Sequence, residues 1–143
     1  LRYFNVYGPR QDPTSVYSGV ISIFVRRLME NRIPVIYGSG QQTRDFIFVK
    51  DIVRANLLAM EQPNLGRGEV LNAGTGRSVS LLDLLATLGR ITGKFVTPIH
   101  RDARAGDVMH SLADISLAAK HLGFAPAYSL EQGLAALLEE FGR

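Results

Sequence analysis

The stretch of residues 37–49 constrains the fold of this chain more than any other part of the sequence. A short β-prone run, Val35–Tyr37, leads into two glycines that lie two positions apart and favour a tight turn. An Arg-Asp pair, Arg44 and Asp45, then precedes a second apolar, β-prone run at residues 46–49. The stretch therefore predicts two short strands joined by a glycine turn, with an arginine at the start of the second strand.

Arg44 is a candidate for binding an anion. A guanidinium group can form two parallel hydrogen bonds to a phosphate or carboxylate, and its charge does not titrate away at physiological pH. The alternative is that Arg44 pairs with Asp45 or with another carboxylate on the surface. These residues alone leave both interpretations open.

Five segments have apolar residues at helical spacing and are predicted helices. Two of them begin with the spacing of a capping box, Ser80 with Asp83 and Ser129 with Gln132. The helix that follows Asp51 is apolar on most sides, so it is expected to be buried. The remaining two helices are expected from Gly19 and after Asp114. Asp51 and Asp114 occupy positions typical of an N-cap.

Short strands are expected between these helices. Besides the two runs above, the predicted strands cover residues 1–6, 69–72 and 95–99. Short strands with helices packed around them predict an α/β fold, and no linker divides residues 1–143, so we expect one domain. Because a strand begins at the first residue, we also expect the chain to be part of something longer.

Composition excludes several classes of function. The chain has no cysteine, which excludes disulfides, thiolate catalysis and cysteine-bound metals. Its net charge of +3 comes from 16 basic and 13 acidic residues that are scattered, which argues against nucleic-acid binding. No apolar run approaches the length of a membrane span and no signal peptide is recognisable, so we expect a cytoplasmic protein without membrane contact.

Asn5 lies at the end of the first strand, just before a loop rich in turn residues at 7–13. Ligand contacts concentrate in loops at the carboxyl ends of strands in α/β folds. An amide both donates and accepts hydrogen bonds, which suits a sugar hydroxyl or a phosphate oxygen. Alternatively, Asn5 caps the turn through its own backbone.

The glycine-rich segment at residues 73–76 has the order strand, glycine turn, helix that is typical of a dinucleotide-binding loop. However, Val79 stands where the third glycine should be, and the helix starts four residues late. We therefore reject this segment as a cofactor site. The three histidines have no metal-ligand spacing and are interpreted as structural, so no metal is expected.

Residues 100–107 form a polar segment with two arginines and two aspartates around a glycine. Such a segment predicts a loop, either a solvated turn or a set of ligand-binding side chains. Its residues contribute to three motifs that together resemble a known family: LRYFNVYGPRQDP at 1–13, TRDF at 43–46, and RAGDV at 104–108 followed by SLAD at 111–114. They are similar to the carboxyl-terminal half of NAD-dependent nucleotide-sugar epimerases, members of the extended short-chain dehydrogenases.

The resemblance covers essentially the whole chain and is strongest to the 4-epimerases of UDP-hexoses and UDP-N-acetylhexosamines. It implies the substrate-binding lobe of that fold, with most of the Rossmann sheet missing. It also implies five substrate contacts. Asn5 would hold the phosphate or the sugar, Tyr37 would lie along the uracil, Arg44 and Arg104 would clamp the pyrophosphate, and Asp107 would bind a ribose hydroxyl.

The same resemblance implies NAD as cofactor, bound mainly by an amino-terminal half that this chain lacks. Phe4 would lie against the nicotinamide. None of the five tyrosines has a lysine four residues later, so the family's catalytic Tyr-x-x-x-Lys is absent and the chain alone should have no catalytic residue and no activity. In the full-length protein a tyrosine would remove the 4-hydroxyl proton while hydride leaves C4 and later returns to the opposite face. Such enzymes are usually homodimers.

Three alternatives remain open. A nucleotide-sugar 4,6-dehydratase, 5-epimerase or decarboxylase would use the same nucleotide-holding half. A non-catalytic module could bind a nucleotide sugar without NAD. An interaction protein without any ligand would not bring Asn5, Arg44 and Arg104 together.

Overall fold

A computed structural model describes residues 1–11 and 19–141 of the chain. Asp12 and Pro13, the end of the predicted turn-rich loop, lie outside the described residues. The described part contains five helices: α1 (Val20–Met29), α2 (Val49–Met60), α3 (Leu81–Thr92), α4 (Ser116–Leu122) and α5 (Leu130–Phe141). It also contains eight short strands: β1 (Arg2–Tyr3), β2 (Asn5–Tyr7), β3 (Val35–Tyr37), β4 (Thr43–Arg44), β5 (Phe46–Phe48), β6 (Asn72–Ala73), β7 (Val79–Ser80) and β8 (Ile99–Arg101).

The strands pair in two-stranded units, most of them parallel. β1 pairs with β6, β2 with β5 and β3 with β8 in parallel, whereas β4 pairs with β7 antiparallel. Parallel neighbours need long crossover connections, and the segment between β2 and β5 includes helix α1. The predicted α/β class is confirmed.

Strand β5 divides the interior into two apolar clusters. Successive side chains of a strand point to opposite faces. Phe46 and Phe48 accordingly join a cluster with α1, α3 and α5, while Ile47 joins one with α2 and α4. All three are nearly inaccessible to solvent, which explains why this strand is apolar at every position instead of alternating.

The capping box predicted at Ser129 is confirmed. At Ser80 the predicted N-cap hydrogen bond is present, and the Asp83 carboxylate accepts the Ser80 hydroxyl at 2.7 Å. The Asp83 N–H donates to Ser80 Oγ at 3.0 Å, and α3 begins at the next residue after that serine. At the start of α5, the Gln132 N–H donates to Ser129 Oγ at 3.2 Å and the Ser129 N–H donates to Gln132 Oε1 at 2.8 Å. Gly123 ends α4 with φ of 63°, the left-handed conformation that glycine adopts without strain.

Two predictions about α2 are wrong. The helix begins at Val49, so Asp51 lies inside its first turn and does not cap it. The Asp51 carboxylate is fully buried and accepts the backbone N–H groups of Ala127 at 2.9 Å and Tyr128 at 3.3 Å. The helix is also not buried all round: exposed apolar side chains form a stripe on it, namely Val53 at 54%, Leu57 at 53% and Met60 at 81% exposure.

The positions of two strands differ from the predictions because pairing, rather than local apolarity, decides where a strand forms. β8 begins at Ile99, opposite Val35, whereas Phe95 in the predicted strand is 74% exposed. β6 covers Asn72–Ala73, opposite β1, instead of residues 69–72. Asp114 precedes α4 by two residues, and its Oδ1 accepts the Ser116 N–H at 2.9 Å.

The described residues contain no helix that is both long and apolar enough to cross a membrane.

Candidate functional site

A cleft with a volume of about 560 Å³ lies between α1, β3, β4 and the loop that follows β8. Five separate parts of the chain contribute to it: residues 5–11, 19–27 and 35–46, Leu81, and residues 104–107. The five residues predicted as substrate contacts all line this cleft: Asn5, Tyr37, Arg44, Arg104 and Asp107. Side chains up to about a hundred positions apart in sequence thus converge on one concave surface, which is the usual form of a small-molecule site.

The glycine turn after β3 shapes one wall of the cleft. Gly38 and Gly40 have φ of 83° and 81°, so the predicted need for glycine is met at both positions. Buried Gln42 holds the turn closed, since its Nε2 donates to the Tyr37 carbonyl at 2.6 Å. The turn thereby fixes the direction in which Tyr37 enters the cleft.

Arg44 pairs with a carboxylate, but with Asp107 rather than Asp45. Its Nη2 lies 2.5 Å from Asp107 Oδ1, and its Nη1 donates to the Thr43 carbonyl at 2.8 Å. The Arg44 side chain is only 17% exposed. Two hydrogen bonds therefore hold the guanidinium in place at the cleft wall. The alternative that Arg44 pairs with another carboxylate is correct for Asp107, and the pair with Asp45 is not formed.

Arg104 stacks on Tyr37. Its Cζ lies 3.9 Å from the centre of the tyrosine ring, within the range of a cation–π interaction. Hydrogen bonding to Arg104 and the positive charge of that side chain lower the pKa of the Tyr37 hydroxyl below its ordinary value. Arg104 is exposed to solvent and lines the cleft.

Asn5 is anchored to a neighbouring strand. Its Nδ2 donates to the Asp45 carbonyl at 3.0 Å, and its backbone N–H donates to the same oxygen at 3.1 Å. The alternative that Asn5 caps its own turn is wrong, because its partner is 40 residues away. The half-buried amide is held at the cleft wall in one orientation.

Sequence reasoning missed three polar residues of the cleft: Gln11, Arg27 and Gln42. Of these three, Arg27 lies on α1. Helical spacing could have identified it, since Val20 and Ile23, which also line the cleft, lie seven and four positions earlier. Ile23, an apolar residue of the same helix, is 41% exposed and lines the cleft.

Phe4 does not line the cleft. It is half-buried at the end of β1, and its N–H donates to the Ala73 carbonyl at 3.0 Å. A partly exposed aromatic ring at that position can contact a flat ring such as nicotinamide. Residues 73–76 do not form a binding loop for a pyrophosphate, because the N–H groups of Thr75 and Gly76 already donate to the Asp45 carboxylate. The N–H groups of Thr75 and Gly76 are therefore not available to a dinucleotide phosphate.

A search of residues 1–11 and 19–141 finds no group of three or more His, Cys, Asp or Glu side chains that could hold a metal ion.

Comparison with known proteins identifies a family. Residues 1–74 match the model of the NAD dependent epimerase/dehydratase family. A putative UDP-glucose 4-epimerase of Methanocaldococcus jannaschii is 40% identical over 134 residues, which are 94% of this chain and 42% of the relative. A UDP-N-acetyl-alpha-D-glucosaminuronate decarboxylase of Bacillus cytotoxicus is 31% identical and is matched over 99% of this chain and 45% of its own length.

Solved structures give the same result. The UDP-glucose 4-epimerase of Thermotoga maritima with UDP-glucose is 45% identical, with a TM-score of 0.91 over 99% of this chain and 44% of that one. The UDP-N-acetylglucosamine 4-epimerase of Methanobrevibacter ruminantium in complex with UDP-N-acetylmuramic acid is 39% identical, with a TM-score of 0.90 over 98% and 44%. The chain thus spans less than half the length of the relatives that it matches, and its fold is part of theirs.

Proposed function

The chain belongs to the NAD dependent epimerase/dehydratase family, and from this premise we propose that it is the substrate-binding part of a UDP-sugar 4-epimerase. The observation that supports the proposal most is the convergence of Asn5, Tyr37, Arg44, Arg104 and Asp107 on one cleft. Two guanidinium groups at its wall can neutralise a diphosphate. The relatives named as UDP-glucose and UDP-N-acetylglucosamine 4-epimerases supply the substrate class.

The proposed roles follow from the position of each side chain. Arg44 and Arg104 bind the diphosphate, and Tyr37 lies along the uracil. Asn5 offers its amide to a phosphate or sugar oxygen. Asp107 binds a ribose hydroxyl, for which it has to share or release its hydrogen bond to Arg44.

A diphosphate can replace Asp107 as the partner of Arg44. In the free protein the carboxylate neutralises the buried side of the cleft, and phosphate oxygens offer the same charge and the same hydrogen-bonding geometry. The strongly held nucleotide then leaves the sugar free to present either face, which the reaction needs.

We propose that NAD is bound mainly by a part of the protein outside this chain, with Phe4 against the nicotinamide. When bound, NAD would supply the hydride acceptor and donor for C4 of the sugar. The described residues supply the grip on the nucleotide and no acid or base for that step, so the chain alone should be inactive.

An exposed apolar surface offers a place for the rest of the protein to dock. Val53, Leu57 and Met60 form a stripe on α2, and Tyr3 on β1 reaches that helix through a hydrogen bond from its hydroxyl to Asn56 Oδ1 at 2.8 Å. Among the described residues β1 has one paired neighbour, β6, so its other edge is free. We propose that an amino-terminal NAD-binding domain covers this surface, and that the full-length protein is a homodimer.

A decarboxylase is the second candidate, because the relative from Bacillus cytotoxicus matches 99% of the chain. Incubation of the complete protein with NAD and UDP-glucose or UDP-N-acetylglucosamine separates the two functions. Conversion to the C4 epimer supports the proposal. Release of carbon dioxide from a UDP-hexuronic acid without epimerisation at C4 would favour the decarboxylase instead.

A non-catalytic binding module is tested in the same preparation. It would bind UDP-sugars by calorimetry but would produce no product with or without NAD. The 143-residue chain assayed alone is the control for the claim that catalysis needs the rest of the protein.

A further inference from the structure

The Asp45 carboxylate joins three segments of the chain inside the protein. It is fully buried, and its two oxygens accept four hydrogen bonds. Oδ1 accepts the N–H of Thr75 at 2.8 Å and its hydroxyl at 2.6 Å, while Oδ2 accepts the N–H groups of Gly76 at 2.9 Å and Ala113 at 3.2 Å. We call these four residues the Asp45 junction.

The junction depends on the charge and on the shape of its surroundings. Its donors are three backbone N–H groups and one hydroxyl, so only an acceptor with two oxygens satisfies all of them. Gly74 has to be a glycine, because a Cβ there would collide with Ala113 Cβ and lie 2.9 Å from Asp45 Oδ2. The glycine segment that resembles a dinucleotide loop therefore serves an internal anion.

The backbone around the junction carries residues of the cleft. The Asp45 carbonyl accepts hydrogen bonds from the backbone N–H and the side-chain Nδ2 of Asn5. Arg44 is the residue before Asp45 in the chain. The amide of Asn5 and the guanidinium of Arg44 are thus fixed to the same peptide segment. Any shift of Asp45 moves both.

The loop with Arg104 and Asp107 is connected to the junction as well. Its following segment runs along Thr43, whose N–H donates to the Met109 carbonyl at 2.8 Å and whose carbonyl accepts the Ser111 N–H at 3.1 Å. That segment then reaches Ala113, the last donor of the junction. The ion pair between Asp107 and Arg44 is a further contact between this loop and the strand β4.

We propose that Asp45 is a positioning residue for the diphosphate end of the cleft, meaning Asn5, Arg44 and Arg104. This inference rests on the proposed function. Asp45 itself does not line the cleft. It sets the distance between the strand with Arg44 and the loop with Arg104, and it fixes the carbonyl that orients Asn5.

The test compares two buried aspartates of the complete protein. Asp45→Asn replaces one acceptor oxygen by an NH₂ group that faces backbone donors. Asp51→Asn makes the same change at a second fully buried aspartate, which also accepts two backbone N–H groups but does not line the cleft or bond to a residue that does. Binding of UDP and of uridine is measured by calorimetry at a temperature at which circular dichroism shows all three proteins folded.

We expect Asp45→Asn to raise the Kd for UDP about tenfold and the Kd for uridine less than about twofold, because the diphosphate contacts are the ones displaced. Asp51→Asn should lower the melting temperature and leave both constants unchanged within about twofold. Equal effects of the two variants on UDP, or none from Asp45→Asn, would overturn the inference. A wild-type protein that binds uridine as well as UDP would instead contradict the proposed function.

A milder pair of variants decides the matter if Asp45→Asn does not fold. Thr75→Val removes one hydroxyl donor of the junction and keeps the volume of the side chain. Thr87→Val is the control, because it also removes one hydroxyl hydrogen bond. Thr87 lies on α3 away from the cleft, and its hydroxyl donates to the Asp83 carbonyl at 2.8 Å. Selective loss of UDP affinity in Thr75→Val supports a positioning role, and equal affinities in the two variants would refute it.

Discussion

Arg104 offers the sharpest test of diphosphate binding, since it is exposed, reaches the cleft and can be removed without opening a cavity. A hydrogen bond to a charged group contributes about 1.5–3 kcal/mol. Solvent screens an exposed side chain, so the lower end of this range applies. Arg104→Ala should therefore weaken UDP binding by about 1.5–2 kcal/mol, which is roughly a tenfold to thirtyfold increase in Kd.

Two further variants separate charge from geometry in the same calorimetric assay. Arg104→Lys keeps the charge but loses the planar fork and the stacking on Tyr37, so about a third to a half of the free-energy loss should remain. Arg90→Ala is the matched control, because Arg90 is exposed, lies 3.7 Å from Glu131 and does not line the cleft. The reasoning fails if Arg104→Ala changes the affinity no more than this control does.

Three other perturbations have expected outcomes. Removal of Arg104 should raise the pKa of Tyr37 toward its ordinary value. The titration of Tyr37 is the difference in phenolate absorbance between Arg104→Ala and the same protein with Tyr37→Phe. A pKa equal to that in the wild-type protein would contradict the stacking. Gly133→Ala should lower the free energy of unfolding in a denaturant titration, since its Cβ would collide with the Tyr7 hydroxyl. Tyr7→Phe in the same chain should restore part of the loss. If the free-energy changes of the two substitutions simply add, the contact is contradicted. Leu57→Glu should reduce self-association of the isolated 143-residue chain in sedimentation, because it places a charge in the exposed stripe on α2; equal association of both chains would count against docking at this surface.

Local signals predicted much of the fold. The N-caps at Ser80 and Ser129 were predicted correctly because their hydrogen bonds involve residues only three positions apart. The start of β8 was not predictable in this way, since its pairing with Val35 joins residues more than sixty positions apart. Asp51 was misplaced for the same reason: its partners, the backbone N–H groups of a distant loop, cannot be seen in the local pattern.

The motifs selected side chains that line one cleft, but the contacts between these side chains were not predicted. Sequence reasoning selected Arg44 and Asp107 as two separate ligand contacts. In the structure they form an ion pair, with Arg44 Nη2 2.5 Å from Asp107 Oδ1. It rejected residues 73–76 as a cofactor loop for the lack of a third glycine. The structure supplies the physical reason, which is that Asp45 already occupies the N–H groups of that loop.

The most direct test of the account is a crystal structure of the complete protein with UDP. The account predicts that the guanidinium groups of Arg44 and Arg104 both lie within hydrogen-bonding distance, about 2.7–3.2 Å, of diphosphate oxygens. It also predicts that Asp107 turns from Arg44 toward the ribose. A diphosphate bound outside this cleft, or contacted by neither arginine, would contradict it.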